Sequence, residues 1–292
     1  MGAAPGAAGQ LESGSSAYGA RMMDHAAKAL RFRELHHRDS PLLLPNPWDA
    51  GSTRLFASLG FDALATTSSG HAATMGRLDG SVTRDQALAH AAEIVAATDL
   101  PVSADLENAF AHDPAGVAAT VEMAAAVGLS GCSVEDYSGD DTKPIYELSH
   151  AVDRVAAAAE AAHSGPVPLV LTARSENHLH DRSDLGDTVT RLQSFQEAGA
   201  DVLYAPGLID AADLRRVVES VDRPVNVLAL PGVPSVAELA AIGVARVSVG
   251  GGFSLVAIGA VAAAARELIN EGTYQYWRQA AVGVADRNTA FE

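Results

Sequence analysis

The chain has 292 residues, 48% of them hydrophobic, with 36 acidic against 20 basic side chains and a net charge of −16. That length and apolar content support a large core in one domain, and the acidic balance excludes nucleic acid and anionic membrane surfaces, which are bound through basic patches. The single cysteine, Cys132, excludes an internal disulfide and a Cys-rich zinc site, and it suits a reducing cytoplasm.

Residues 1–22 lack the basic start and apolar core of a secretory signal. Their Gly/Ala/Ser content predicts a disordered leader, with one folded domain over 23–292. From about residue 40, short apolar runs alternate with segments of helical period. "PLLLPNP" precedes "WDAGSTRLFASLG", "ALATT" precedes "TRDQALAHAAEIVAAT", and "PVSADLE" precedes "DPAGVAATVEMAAAVG". "GCSVEDY" precedes "ELSHAVDRVAAAAEAAH", and "VPLVLTARSE" precedes "DTVTRLQSFQEAG". "ADVLYAP", "PVNVLAL" and "ARVSVGG" each precede a further helical segment, which makes eight strand–helix pairs. The strands are continuously apolar, as parallel strands covered on both faces are. Helices stop at Gly60, Gly128, Gly199 and Gly243, where a left-handed cap is wanted, and Asp113 and Ser235 stand where N-caps belong. The last apolar stretch, "LVAIGAVAAAARELI", is rich in small residues and ends in charge, so it reads as a buried helix rather than a membrane span. Eight such pairs, with no G-x-G-x-x-G after the first strand, predict a (β/α)8 TIM barrel rather than an open doubly wound sheet.

The barrel fixes where function lies, because active sites of this fold sit at the C-terminal ends of the strands. Strand 2 ends in Thr66, Thr67, Ser68, Ser69, Gly70 and His71; strand 3 in Asp105 and Glu107; strand 4 in Glu135, Asp136 and Tyr137. Strand 5 supplies Arg174, Glu176 and Asn177, strand 6 Tyr204 and strand 7 Asn226. Carboxylates converging in a low-dielectric mouth must share protons or bind a cation, and oxygen ligands without thiolates or a histidine pair point to Mg2+ or Mn2+. Arg174 is placed to pair a substrate carboxylate in bidentate fashion. Other features read as structure: His71 as a loop histidine, Cys132 as a small core residue, "HLHDR" at 178–182 as a solvated loop. The glycines Gly250, Gly251 and Gly252 before the last apolar helix could cradle a phosphate.

These residues carry a resemblance. Over about residues 40 to 275 the chain resembles the isocitrate lyase/phosphoenolpyruvate mutase superfamily, through "PNPWDAGSTRLFASLGFDALATTSSG", "MGRLDG", "PVSADLENAF", "SVEDY", "TARSEN" and "GADVLYAPG". The family motif D-A-D-x-G-[FY]-G, whose carboxylates hold Mg2+ largely through water, falls on Asp105, Leu106, Glu107, Asn108, Ala109 and Phe110. The resemblance implies that Glu135 joins the metal shell and that Asp79 helps around the site. It implies that Arg174 grips the substrate carboxylate, with Thr67, Ser68, Ser69 and Gly70 as further donors. Family chemistry makes or breaks C–C or P–C bonds next to a 2-oxo acid through an enolate. Relatives exchange the last helix between subunits, so a homodimer or tetramer is expected, with residues 273 to 278 ("TYQYWR") packed on a neighbour.

The departures matter as much. Lyases of this family carry K-K-C-G-H after strand 4, whose cysteine is the acid–base group; here the segment reads "SGDDTKPIYEL", with Lys143 as its one lysine. The usual F-P-E-[AG] after strand 6 is Tyr204, Ala205, Pro206 and Gly207, so that glutamate is absent. Asp140 and Asp141 beside Lys143 disfavour a phosphonate dianion. The expectation is a Mg2+-dependent enzyme that cleaves or decarboxylates a small 2-oxo or 2-hydroxy acid such as oxaloacetate. Tyr137 and Lys143 are the candidate proton donors, Arg174 and Asn226 substrate-binding residues, and Asp105, Glu107 and Glu135 the metal set. The alternatives are phosphonopyruvate hydrolase or mutase chemistry, and a 2-oxo-acid-binding protein that catalyses little.

Overall fold

The structure, a computed structural model, describes residues 24–292. The leader expected over 1–22 lies outside them. Helix α1 (24–35) buries Ala29, Phe32 and Leu35 at helical spacing. Eight parallel strands follow: β1 (Leu42–Leu44), β2 (Leu64–Ala65), β3 (Val102–Asp105), β4 (Gly131–Glu135), β5 (Val170–Arg174), β6 (Val202–Tyr204), β7 (Val225–Leu228) and β8 (Arg246–Ser248). Their spatial order is 1-8-7-6-5-4-3-2, a (β/α)8 barrel. The seam between β1 and β2 carries few bonds. The Ala65 N–H donates to Pro45 O at 3.1 Å, and Asn46 Nδ2 donates to Thr66 O at 3.0 Å.

The crossovers are α2 (Ala50–Ser58), α3 (Ser68–Thr74) with α4 (Arg84–Ala96), α5 (Pro114–Ala126), α6 (Leu148–Ser164), α7 (Leu185–Glu197), α8 (Ala211–Glu219) and α9 (Val236–Ile242). The expected signals hold. Asp113 caps α5 by accepting from the Gly116 N–H at 2.9 Å, and Ser235 caps α9 in a capping box with Glu238. Gly60, Gly128, Gly199 and Gly243 all take positive φ.

The alanine-rich helices α5 and α6 pack on the outer faces of β3, β4 and β5. At the N-terminal end of the barrel, Phe32 and Leu35 of α1 form a plug with Leu42, Ala63, Val170 and Val202, residues at or beside the strand starts. Gly131 makes room for this plug: a Cβ there would stand 2.7 Å from Val170 O and 2.8 Å from the Phe32 ring. The plug leaves the opposite end, where the strands finish, open for a site.

The apolar helix α10 (Gly252–Asn270) is not buried within its own chain: of its residues only Ser254 is buried, and Leu255, Val256, Ile258, Val261 and Ile269 are exposed. Among the described residues it is the one helix long and apolar enough to cross a membrane by length and composition. The chain then turns back, and α11 (Trp277–Phe291) lies against α2.

Gly131→Ala should destabilise the barrel by about 1–3 kcal/mol, because the backbone carbonyl of Val170 cannot give way as a flexible side chain can. Urea denaturation checks this; an unchanged midpoint would show that the plug tolerates a methyl group.

Candidate active site

The strand ends bring charged side chains together around Arg174, the last residue of β5. Its Nη1 donates to Asp105 Oδ1 at 2.8 Å, its Nη2 lies 3.1 Å from Glu135 Oε2, and its Nε donates to Glu176 Oε1 at 2.8 Å. The Tyr204 ring lies under the guanidinium, 5.3 Å from its carbon to the ring centroid. Burial pulls the Arg174 pKa down, but Glu176, Glu135 and Asp105 outweigh it and hold the group charged. Asp105 Oδ2 accepts from the Ser68 hydroxyl at 2.9 Å and from its N–H at 3.4 Å. Glu176 is fixed through its backbone N–H, which donates to buried Asp136 at 2.8 Å; Asp136 in turn pairs with Arg191 of α7 at 3.1 Å.

The loop after β3 is strained. Glu107, Ala109 and Phe110 take φ of 49°, 60° and 55°, a region that costs a residue with a Cβ roughly 1 kcal/mol or more. Ala109 stands where the resembled motif carries glycine. The strain is held by Arg154 of α6, which is buried and donates to Glu135 O and Ala111 O at 3.0 Å each, and also to Asn108 O. The result turns the Glu107 carboxyl back beside Asp105. Its Oε1 is buried without a hydrogen-bond partner. Burial, then Asp105 and Asp79, push the Glu107 pKa up to about 7. Burial also pushes Glu135 well above the usual carboxylate range, more than Arg174 pulls it down. Among the described residues, no three His, Cys, Asp or Glu side chains converge closely enough to ligate one ion directly.

Beside this cluster a cavity of about 180 Å³ runs from the barrel mouth into its interior. Of the residues expected at the site, Thr67, Ser68, Ser69, Asp79, Asp105, Arg174 and Asn226 line it. Gly70 stands just behind as the amide that Thr67 Oγ1 caps at 3.3 Å; a Cβ on Gly70 would meet Thr67 Cγ2 at 2.6 Å. Glu135 reaches the cavity only through Arg174, and Glu107 faces a small adjoining crevice with His71 and His90. Tyr137 and Lys143 do not line the cavity. The Tyr137 hydroxyl donates to Asp141 at 2.9 Å, which with burial raises its pKa, and its ring stacks on His180 at 4.1 Å. Lys143 is exposed on the loop after β4.

Three further residues belong to the site. Asn46 accepts the N–H groups of Val249 and Gly250 at 2.9 Å each, so the first amide of the glycine turn is already taken and the turn is no open phosphate cradle. Its flanking prolines were the available clue. Ser248 accepts from Asn226 Nδ2 at 2.9 Å, and Arg246 lines the inner end of the cavity. Both lie inside "ARVSVGG", which reads only as a buried strand. The reading of Cys132 as core holds: it is buried, and burial pushes its thiol up to about 12.

A strand-end acidic cluster beside a narrow cavity in a (β/α)8 barrel stands where active sites of this fold lie, and comparison with known proteins gives the class, that of the lyases and mutases. The family model for phosphoenolpyruvate phosphomutase matches residues 32–269, so the chain belongs to that family, within the isocitrate lyase/phosphoenolpyruvate mutase superfamily. A candidate lyase/mutase from Burkholderia cenocepacia J2315 superposes with a TM-score of 0.88 at 49% identity, over 92% of this chain and 96% of that one. The uncharacterized protein Rv1998c of Mycobacterium tuberculosis is 32% identical over 225 residues, 76% of this chain and 82% of its own. The 2-methylisocitrate lyase of Escherichia coli is 27% identical over 202 residues, 66% of this chain and 67% of its own.

The Glu107 shift sets a pH dependence. The folded state keeps a proton that the unfolded chain releases above its ordinary value of 4.5, so stability falls as pH rises from there to about 7 and then levels. In chelator, Glu107→Gln should melt like the wild type at pH 5 and several degrees higher at pH 8. Parallel melting curves for the two proteins across that range would contradict the assignment.

Proposed function

We propose that this protein is a Mg2+-dependent enzyme acting on a small 2-oxo or 2-hydroxy carboxylic acid, cleaving a C–C bond or releasing CO2, with an oxaloacetate-like substrate. One observation carries the reading: three carboxylates, Asp105, Glu135 and Glu176, meet one guanidinium, with a fourth, Glu107, beside them, next to a cavity that admits only a small molecule. The donor set fits Mg2+ or Mn2+. It is all oxygen, it carries more negative charge than Arg174 cancels, and the orphaned Glu107 Oε1 has lone pairs to give. Asp105, Glu107 and Glu135 would hold the ion, in part through water. When bound, it supplies Lewis-acid polarisation of the 2-oxo and carboxylate oxygens.

The chain's own residues do the rest. Arg174 exchanges its Nη bonds to Asp105 and Glu135 for a substrate carboxylate, keeping Nε on Glu176. Ser68 keeps Asp105 oriented, and Ser69 and Asn226 offer polar groups along the wall. The loop after β4 offers no thiol and no histidine, and its Tyr137 and Lys143 stand outside the cavity lining. Lyases that depend on a donor there gain about 10^2 to 10^4-fold from general acid–base catalysis. Loss of CO2 from a 2-oxo acid asks for less, since water can protonate the enolate. A second reading is favoured by one relative: a candidate phosphonomutase from B. cenocepacia J2315 is 36% identical over 85% of this chain. A cytoplasmic setting suits the free, buried Cys132.

The purified protein should decarboxylate or cleave oxaloacetate in a Mg2+-dependent manner, with little activity on 2-methylisocitrate. Asp105→Ala should abolish Mg2+-linked binding of oxalate in calorimetry, and Arg174→Ala should weaken carboxylate binding by about 10²-fold, as loss of a charged bidentate partner does. Turnover of 2-methylisocitrate as fast as oxaloacetate would overturn the loop argument. Hydrolysis of phosphonopyruvate with no turnover of oxaloacetate would install the second reading, and Mg2+-dependent oxalate binding without turnover would mark a binding protein.

We also propose a homodimer or homotetramer in which a second copy covers α10, since an apolar helix this exposed is costly in water. Tyr274 and Trp277, which follow that helix in the chain, are exposed as well. Light scattering at micromolar concentration should give at least twice the chain mass; a monomer would contradict it.

A further inference from the structure

Arg246, the first residue of β8, is buried at the inner end of the cavity, just above the α1 plug. Its guanidinium makes bonds only to neutral groups. Nε donates to Asn226 Oδ1 at 2.9 Å, Nη2 to Thr172 Oγ1 at 3.1 Å and Nη1 to His36 Nε2 at 3.2 Å. His36 cannot be the acid that balances it. Because Nε2 must accept, the ring proton sits on Nδ1 and donates to Phe32 O at 2.7 Å. Burial, then Arg246 itself, lowers the His36 pKa to about 3, so the ring stays neutral. Among the described residues no carboxylate pairs with Arg246. Burial lowers its own pKa to about 10, which leaves it charged at neutral pH. A guanidinium has five N–H donors, so about two remain without an acceptor.

The two arginines of the cavity therefore differ in kind. Arg174 is surrounded by acids at the mouth, whereas Arg246 is a buried cation without a counter-ion, facing a space that also exposes Asn226 and Ser248. A buried charge left unpaired is strongly unfavourable, and a ligand anion is the partner that the cavity can admit. We propose that Arg246 binds the second carboxylate of the oxaloacetate-like substrate proposed above, which makes it the residue that selects a dicarboxylic over a monocarboxylic acid. This rests on the reading of the mouth as the site of the 2-oxo acid. One carboxylate with the 2-oxygen lies beside Asp105 and Arg174, and the other reaches inward to Arg246.

Calorimetry with malate and with pyruvate, both with Mg2+ present, tests this in the wild type, Arg246→Gln and Arg246→Lys. The wild type should favour malate. Arg246→Gln should lose about tenfold or more in malate affinity while pyruvate changes less than about threefold, and Arg246→Lys should restore part of the preference. If Gln fails to fold, the Lys variant still decides: it keeps the charge but not the planar fork, so its malate preference should fall between wild type and none. An unchanged malate-to-pyruvate ratio in either variant, or a wild type that does not bind malate, would overturn the inference and leave Arg246 as a structural cation. The metal reading is judged apart from this, by titrating Mg2+ alone with no acid present.

Discussion

Everything at the mouth of this barrel depends on one guanidinium held among too many carboxylates. Arg174 is fixed from three sides by β3, β4 and the turn after β5, so the last residues of three neighbouring strands are tied to a single planar group. The fork geometry matters: Nε and the two Nη atoms point in different directions, and each meets a different acid. Lysine could not hold that arrangement. Yet the acids outnumber it, and burial first, with the neighbouring acids adding to it, raises the pKa values of Glu107 and Glu135. A site balanced in this way is ready to take up positive charge and to release protons as it does so.

The supporting shell is built to keep the acids close against their repulsion. Arg154 holds carbonyls of the β3 loop and of Glu135, and the loop pays for its position in backbone strain at Glu107, Ala109 and Phe110. Asp136 and Arg191 anchor Glu176 from behind. At the far end α1 closes the barrel, and the charge there is reversed, with Arg246 buried among neutral acceptors. The cavity thus runs from an acidic mouth to a basic floor. That gradient suits a ligand with a metal-seeking end and an anionic end.

Much of this was legible in the chain. The eight apolar runs, the caps at Asp113 and Ser235 and the glycine stops gave the barrel, because local backbone chemistry and hydrophobic period decide those features. Asp105, Arg174 and Asn226 followed from the rule that strand ends form the site. What the sequence did not show depends on direction rather than position. Arg246 lies at the start of its strand, where no site is sought, and only its inward orientation brings it to the cavity. Tyr137 and Lys143 lie next to a strand end in sequence, but the loop carries them outside the cavity lining. The apolar composition of α10 marks a helix that wants cover, but composition alone does not tell cover by its own chain from cover by another surface, and the structure shows that its own chain leaves it exposed.

The most direct test of the central claim is a count of bound metal by electron paramagnetic resonance, titrating Mn2+ into the protein with no organic acid present. The carboxylate cluster predicts one tightly bound ion per chain near neutral pH, weaker binding near pH 5 as Glu107 and Glu135 take up protons, and no tight binding in Asp105→Asn. Free Mn2+ signal throughout the titration of the wild type, or an unchanged bound ion in the Asp105 variant, would contradict it.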